Sequence, residues 1–185
     1  MSFSFGGMAV NKDYSGKFEA LLDKLGIARK ATGSGFSMTR AISGVNGGSA
    51  IAAFNGQTLL FDQLLPYDCS FSPGEESRLD KRLAAYAVEE SVLVFMLDGI
   101  SETYGFSLFE QGKRRRRWGI QPKGLLCDDG ELLKPESAFI AGNINYENIF
   151  STPGEMRVIA VLEYFLKADF NELLTNENRI YHLFV

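Results

Sequence analysis

The chain has 185 residues, of which 45% are hydrophobic and 23% charged, and its formal net charge at pH 7 is −4. This length and composition are typical of one globular domain with a substantial core. The negative net charge excludes a global basic field that would attract nucleic acid or an anionic membrane, and no stretch approaches the roughly 20 apolar residues that span a bilayer.

The chain contains two cysteines, Cys69 and Cys127, and one histidine, His182. Neither thiol has a second Cys or a His near it at the spacing of a metal site. Residues 1–10 lack the basic segment and the continuous apolar segment of a signal peptide. We therefore expect two reduced thiols, no metal or other cofactor, no membrane partner and a cytoplasmic location.

The first elements in chain order are a short helix and a loop. Apolar residues at helical spacing, followed by Gly26 as a C-cap, predict a helix at residues 16–25. Residues 31–50 contain five glycines and four serines, a composition that predicts a loop.

A β-hairpin follows at residues 50–61. Asn55-Gly56 is a strong signal for a two-residue turn, and apolar segments flank it on both sides. Both faces of the two strands are apolar, which predicts that the hairpin is covered on both sides.

Two helices are predicted from one local motif. Ser72-Pro73-Gly74-Glu75 and Thr152-Pro153-Gly154-Glu155 each place a hydroxyl residue at the N-cap, proline at the first helical position and glutamate at the third. The apolar spacing predicts that the first helix runs to about Glu89 and the second to about Lys167. A short helical continuation through Leu174 is also predicted.

The remaining strands lie between and after these helices. Residues 92–97 are all apolar and predict a strand at the centre of the sheet, and residues 179–185 predict a final strand. Residues 119–151 contain many turn signals, so we interpret them as an irregular excursion with a short strand near 125–127 or 138–141. The predicted fold class is α+β, with a mainly antiparallel sheet of about five or six strands and helices packed on it.

The most distinctive segment is the return strand of a second hairpin, which turns at Gln111-Gly112. Its candidate binding residues are Arg114, Arg115, Arg116, Arg117 and Trp118. Neighbouring side chains on a strand point to opposite faces. With a two-residue turn, Arg115 and Arg117 share the face of Phe106, and the other two arginines lie on the opposite face. A three-residue loop would swap the pairs.

Three interpretations of these arginines remain open. The first is an edge strand whose charges prevent pairing with another chain. The second is a docking surface for an acidic protein partner, because Arg and Trp are typical of binding hot spots and guanidinium groups bind carboxylates in a bidentate manner. The third is contact with nucleic-acid phosphates, which the negative net charge and the lack of a second basic cluster disfavour.

A hydrolase-type enzyme is a further alternative, and the sequence identifies no catalytic residue for it. Such an enzyme needs polar groups that converge in one pocket. The groups that could contribute are Asp62, Asp98, Glu102, Tyr104 and His182. A single acid at a strand end is more often a turn former than a general base.

The hairpin sequence Tyr104-Gly105-Phe106, the turn Gly112-Lys113, the arginines and the segment Gly130-Glu131-Leu132-Leu133-Lys134-Pro135-Glu136 follow one another over residues 91–136. This arrangement resembles uncharacterised bacterial proteins of unknown function, in the general style of small immunity proteins. The resemblance implies a binding role and no particular activity. We therefore expect a single domain over residues 1–185 that binds a protein partner through the arginine hairpin or through residues 119–151.

Overall fold

The computed structural model describes residues 4–43, 48–62, 64–69, 71, 76–140, 152–175 and 180–185. Within them, nine strands form one sheet in the order β2-β9-β3-β4-β1-β5-β6-β7-β8, and every neighbouring pair is antiparallel. The strands are β1 (Ser4–Val10), β2 (Ala31–Phe36), β3 (Ser49–Phe54), β4 (Gln57–Phe61), β5 (Val92–Asp98), β6 (Thr103–Glu110), β7 (Lys113–Gln121), β8 (Gly124–Gly130) and β9 (Tyr181–Phe184). The α+β class with an antiparallel sheet is confirmed, whereas five or six strands proved too few.

Helices cover both faces of the sheet. They are α1 (Phe18–Leu25), α2 (Met38–Ser43), α3 (Leu65–Asp68), α4 (Arg78–Tyr86), α5 (Ser137–Ile140), α6 (Pro153–Leu166) and α7 (Phe170–Thr175), and a 3₁₀ turn spans Lys134–Glu136. The α1 face, which includes Met8, Ile51 and Val94 of the sheet, packs against α1, α3 and α4. The α6 face, which includes Ala9 and Phe95, packs against α2, α6 and α7.

The central strand β1 was not predicted from the sequence, because two of its seven residues are glycines. Both glycines are required by close packing. A Cβ atom on Gly7 would lie 1.9 Å from the carbonyl oxygen of Leu60 in β4, and one on Gly6 would lie 2.5 Å from Cγ of Pro66 in α3. Glycine, which usually weakens a strand, here marks the approach of neighbouring backbone.

The Asn55-Gly56 hairpin is confirmed. Phe54 pairs with Gln57, and φ is positive at both turn residues (50° and 77°), as a type I′ turn requires. Side chains of β3 and β4 are buried on both the α1 face and the α6 face. Residues 92–97 form most of the inner strand β5, as predicted, and residues 181–184 form β9.

The helix starts were predicted with mixed success. The motif at 72–75 lies outside the described residues, and α4 begins six residues after Ser72, at Arg78. Its capping box uses Ser77 and Asp80: the Ser77 hydroxyl accepts from the Asp80 amide (3.0 Å), and the Asp80 carboxylate accepts from the Ser77 amide (2.9 Å). This helix ends at Tyr86 and not near Glu89.

The second helix start is confirmed. Thr152 caps α6 by accepting from the Glu155 amide (3.3 Å), and the helix ends at Leu166, followed by α7 as expected. Gly154 in the same motif contacts the sheet, because a Cβ atom there would lie 2.6 Å from the Tyr104 ring.

Two predicted loops contain regular structure. Residues 31–50 were expected to form a loop, but β2 and α2 occupy 31–36 and 38–43, while 44–47 lie outside the described residues. The β2–β9 pairing depends on backbone hydrogen bonds, which glycine and serine supply as well as any other residue.

The expected irregular excursion at 119–151 also contains regular structure. Strand β7 continues to Gln121, and β8 includes the predicted strand near 125–127. The alternative strand near 138–141 is wrong, because residues 137–140 form α5. Residues 141–151 lie outside the described part of the chain. In that part, none of the helices combines the length and the apolar composition needed to cross a bilayer.

Candidate functional site

The arginine hairpin turns at Gln111-Gly112, where both φ angles are positive (52° and 76°). The pairing of Phe109 with Arg114 matches the two-residue turn predicted from the sequence. A β-bulge at Arg115 follows, so Leu108 pairs with Arg116 and not with Arg115. The predicted face is therefore confirmed for Arg114 and wrong for Arg116 and Arg117, because one extra residue in a strand exchanges the faces of all later side chains.

The arginines on either side of the bulge are divided between the two faces of the sheet. Arg116 and Trp118 lie on the α6 face, beside Leu108, while Arg114 and Arg117 lie on the α1 face. Because β8 pairs along the other side of β7, the arginines are not on an edge strand. The edge-strand interpretation is therefore wrong.

Each of the four arginines has its own carboxylate partner. Arg114 lies 3.2 Å from the Asp80 carboxylate in α4, and Arg117 donates from Nε to Asp129 of β8 (2.8 Å). Arg115 lies 3.9 Å from Glu131, whose side chain is 94% exposed. Arg115 is also the most exposed of the four, with 37% of its side chain accessible.

Arg116 is at the centre of a buried ion network. It is 1% exposed and binds the fully buried Glu136 in a bidentate manner, from Nε to Oε2 (2.9 Å) and from Nη2 to Oε1 (2.7 Å). Its third nitrogen lies 2.6 Å from the Asp128 carboxylate. From α6, Arg157 donates to the same Glu136, and its guanidinium lies 4.3 Å from the centroid of the Trp118 ring.

The ionised state of Glu136 is the favoured one. Burial would raise its pKa, but hydrogen bonds from Arg116, from the Leu133 amide (2.8 Å) and from Arg157 outweigh burial and hold the pKa below the ordinary value of 4.5. The network thus fastens β7, the 3₁₀ turn and α6 to one another.

A second group of arginines lines a depression on the α1 face. We call it the arginine groove: a depression of about 570 Å³ between the end of α1, α3 and the start of α4, lined by Arg29, Arg78 and Arg82. Its volume is in the range of ligand-binding sites. The same groove is lined by two carboxylates, Asp62 and Asp68, and by several leucines.

Asp62 anchors one side of the groove. It is 4% exposed and accepts hydrogen bonds from the Ser49 hydroxyl (2.7 Å) and from the amides of Leu64 (2.9 Å) and Leu65 (3.1 Å). Arg29 lies 2.7 Å from the same carboxylate. The charges of Arg29 and Asp62 therefore compensate each other.

Arg82 is positioned by the C-terminus of α1. Gly26 adopts φ of 68°, and the amides of Gly26 and Ile27 bond to the carbonyls of Asp23 and Leu22, which is a Schellman motif. Arg82 donates to the Gly26 carbonyl (3.2 Å). Its guanidinium lies so close that a Cβ atom on Gly26 would be 2.3 Å from Nη1.

Among the described residues that line the groove, the remaining charges amount to an excess of one positive charge. Arg78 and Arg82 supply two, and the exposed Asp68 supplies one opposing charge. We did not single out these arginines in the sequence. The available signal was their spacing, since residues 78 and 82 are four apart and share one side of α4.

The polar groups considered for a hydrolase do not all meet in one pocket: Asp98, Glu102 and Tyr104 lie at the β5–β6 hairpin, whereas His182 lies apart from them. Asp98 accepts from Ser101 and Ser4 (2.7 and 3.0 Å) at the β5–β6 turn, as a turn former does. His182 is in β9, separated from β5 by three strands, and its ring packs 5.1 Å from that of Phe18. Among the described residues, no three His, Cys, Asp or Glu side chains are grouped to hold a metal ion.

Both thiols are free and buried. Burial raises the pKa of Cys127 to about 11 and raises that of Cys69 well above its ordinary value, so neither is an activated nucleophile.

Comparison with known proteins gives one match. The model of a family of unknown function, DUF6928, matches residues 15–156, which include the arginine groove and the arginine hairpin. No curated protein matches the chain, and no solved structure matches it.

Proposed function

The chain belongs to DUF6928, a family of unknown function, and we propose from its geometry that it acts by binding an acidic protein partner in the arginine groove. The observation that carries this proposal is the difference in charge compensation between the two arginine clusters. Carboxylates of the chain itself compensate the hairpin arginines, whereas the groove has an excess of one positive charge in a concave surface.

The groove also has the composition of a binding site. Guanidinium groups bind carboxylates through two parallel hydrogen bonds, and leucine side chains supply apolar contact area beside them. The buried Asp62 and the Schellman motif at Gly26 hold Arg29 and Arg82 in place before a partner arrives. A preorganised site loses less conformational entropy on binding.

The arginine hairpin is the weaker candidate for the same role. Arg115 is its most accessible guanidinium, and Arg116 and Arg117 are 1% and 4% exposed. Contact of Arg114, Arg115, Arg116, Arg117 and Trp118 with a partner stays a prediction, as do an immunity-like role and a cytoplasmic location.

Site-specific photocrosslinking tests the proposal. Ala28 is exposed and lines the groove, so a photoreactive residue at this position should crosslink an acidic protein in an extract of the source cells. The matched control places the same residue at Ile100, which is 84% exposed at the β5–β6 turn. The adduct should be absent at Ile100 and should disappear when Arg82→Glu is added to the Ala28 variant.

A second control separates the two arginine clusters. Arg115→Glu should leave the Ala28 adduct intact if the groove is the contact surface. The proposal is wrong if the same proteins are captured at both positions, if Arg82→Glu has no effect, or if the crosslinked segment of the captured protein contains no acidic residue.

A further inference from the structure

We infer that the arginine groove recognises a single carboxylate next to a bulky apolar side chain, in a partner segment that is neutral or basic on either side. This inference rests on the proposed function and specifies the partner's sequence chemistry. It follows from the charges of the groove and of two depressions that adjoin it.

The cationic part of the groove suits one carboxylate. The Arg29–Asp62 pair is self-compensated, and among the described lining residues Arg78 and Arg82 outnumber the exposed carboxylate of Asp68. The excess of one positive charge is neutralised by a single acidic side chain. A second acid in the same place would be without a counter-charge.

The apolar part suits a large side chain beside that carboxylate. Leu25 and Leu65 form buried surface at the groove, and Leu64, also in its lining, is 60% exposed. A bulky apolar group placed over Leu64 would remove its exposed surface from water, which favours binding. A simple anion such as phosphate leaves that surface wet.

The first adjoining depression has no excess of positive charge. It measures about 580 Å³ and shares Gly26 and Arg82 with the groove. Asp23 and Glu89 in its lining balance Lys24 and Arg82, and Glu90 is already paired with Lys12. An acidic residue of the partner would therefore find no excess of positive charge on this side.

The second adjoining depression has the same character. It measures about 780 Å³ and shares Ala28 and Arg29 with the groove. Glu19 and Asp23 outnumber Lys30 there, because the charge of Arg29 is compensated by Asp62. The positive field is thus confined to the centre, which disfavours extended polyanions such as nucleic acid or a polyglutamate tract.

Fluorescence anisotropy with four labelled peptides of equal length tests this specificity. The reference peptide has Leu-Glu-Leu at its centre and lysines on either side. The other three replace the central Glu by Gln, the two Leu by Ser, or the flanking lysines by glutamates. The reference should bind at least about threefold more tightly than each of the others, and an oligothymidylate should not compete with it at physiological salt.

A charge-reversal variant isolates the contribution of the flank. Glu89 is exposed and lies outside the arginine groove itself. Glu89→Lys should abolish the discrimination against glutamate flanks while leaving the requirement for the central Glu unchanged. Arg78→Gln/Arg82→Gln should remove the requirement for the central Glu, and circular dichroism confirms that both variants are folded.

Each outcome has a defined meaning. If the glutamate-flanked peptide binds as tightly as the reference, or if no peptide binds, the inferred specificity is wrong. The proposed function is judged separately by the Ala28 crosslink, which requires no knowledge of the partner's sequence.

Discussion

The two arginine clusters differ chiefly in where their carboxylate partners lie. In the hairpin, four consecutive arginines meet carboxylates from α4, β8, the following loop and the 3₁₀ turn. In the described lining of the groove, Arg29 and the two α4 arginines, Arg78 and Arg82, meet two carboxylates, one of which is paired with Arg29.

The comparison shows that the number of arginines in a short stretch of sequence does not indicate whether they are available to a binding partner. Buried guanidinium groups require carboxylate partners, so a buried cluster of arginines is accompanied by acidic residues of the same chain. The arginines available to a partner are those near which the folded chain places too few carboxylates to compensate their charge. Four predictions sharpen this contrast, and we give them from the largest expected effect to the smallest.

The largest effect is expected from Glu136→Gln. This change leaves Arg116, which is 1% exposed, and Arg157 without their shared carboxylate, and we expect a loss of about 3 kcal/mol in the free energy of unfolding. Urea denaturation followed by circular dichroism measures this loss. A loss below about 1 kcal/mol would show that the network contributes little to stability.

The adjacent arginine should show a smaller effect. Arg117→Glu places a buried carboxylate beside Asp129, and we expect a loss of about 2 kcal/mol. The same denaturation measurement applies, with Arg117→Lys as a control that keeps the charge. Equal stability of the glutamate variant and the wild type would contradict the burial of this side chain.

The contribution of Glu136 should depend on pH. Because its pKa is lowered in the folded state, its stabilisation is complete above about pH 4.5 and is lost as the pH falls through the folded-state pKa. The difference in unfolding free energy between the wild type and Glu136→Gln should therefore narrow between pH 7 and pH 3. A difference that stays constant over this range would argue against an ionised Glu136.

The smallest effect is expected from Arg115→Glu. The side chains of Arg115 and Glu131 are 37% and 94% exposed, and exposed ion pairs contribute little. We expect a change within about 0.5 kcal/mol, measured as a shift in the denaturation midpoint. A large loss of unfolding free energy would show that Arg115 contributes to stability as its buried neighbours do, which would contradict the difference expected within the hairpin.

Sequence reasoning predicted the elements whose signals are local. The Asn55-Gly56 turn, the Gly26 C-cap and the Thr152 cap each depend on a few neighbouring residues, and all three are confirmed. The strands β1 and β2 were missed because glycine and serine conceal a strand whose partners are distant in sequence.

The site was harder to predict, for the same physical reason. The four arginines of the hairpin were visible as a block, but the positions of Asp80 and Glu136 relative to them depend on tertiary structure. The groove was not visible at all, because it forms where the end of α1 meets α3 and α4.

The bulge at Arg115 has a consequence for how the strand tolerates sequence change. Since positions 114–117 are identical, the extra residue could move to any of them and arginines would still stand opposite Phe109, Leu108 and Ser107. Because the four residues are identical, every location of the bulge among them is chemically equivalent. Deletion of any one of the four arginines would remove the bulge and would leave arginines opposite Phe109, Leu108 and Ser107.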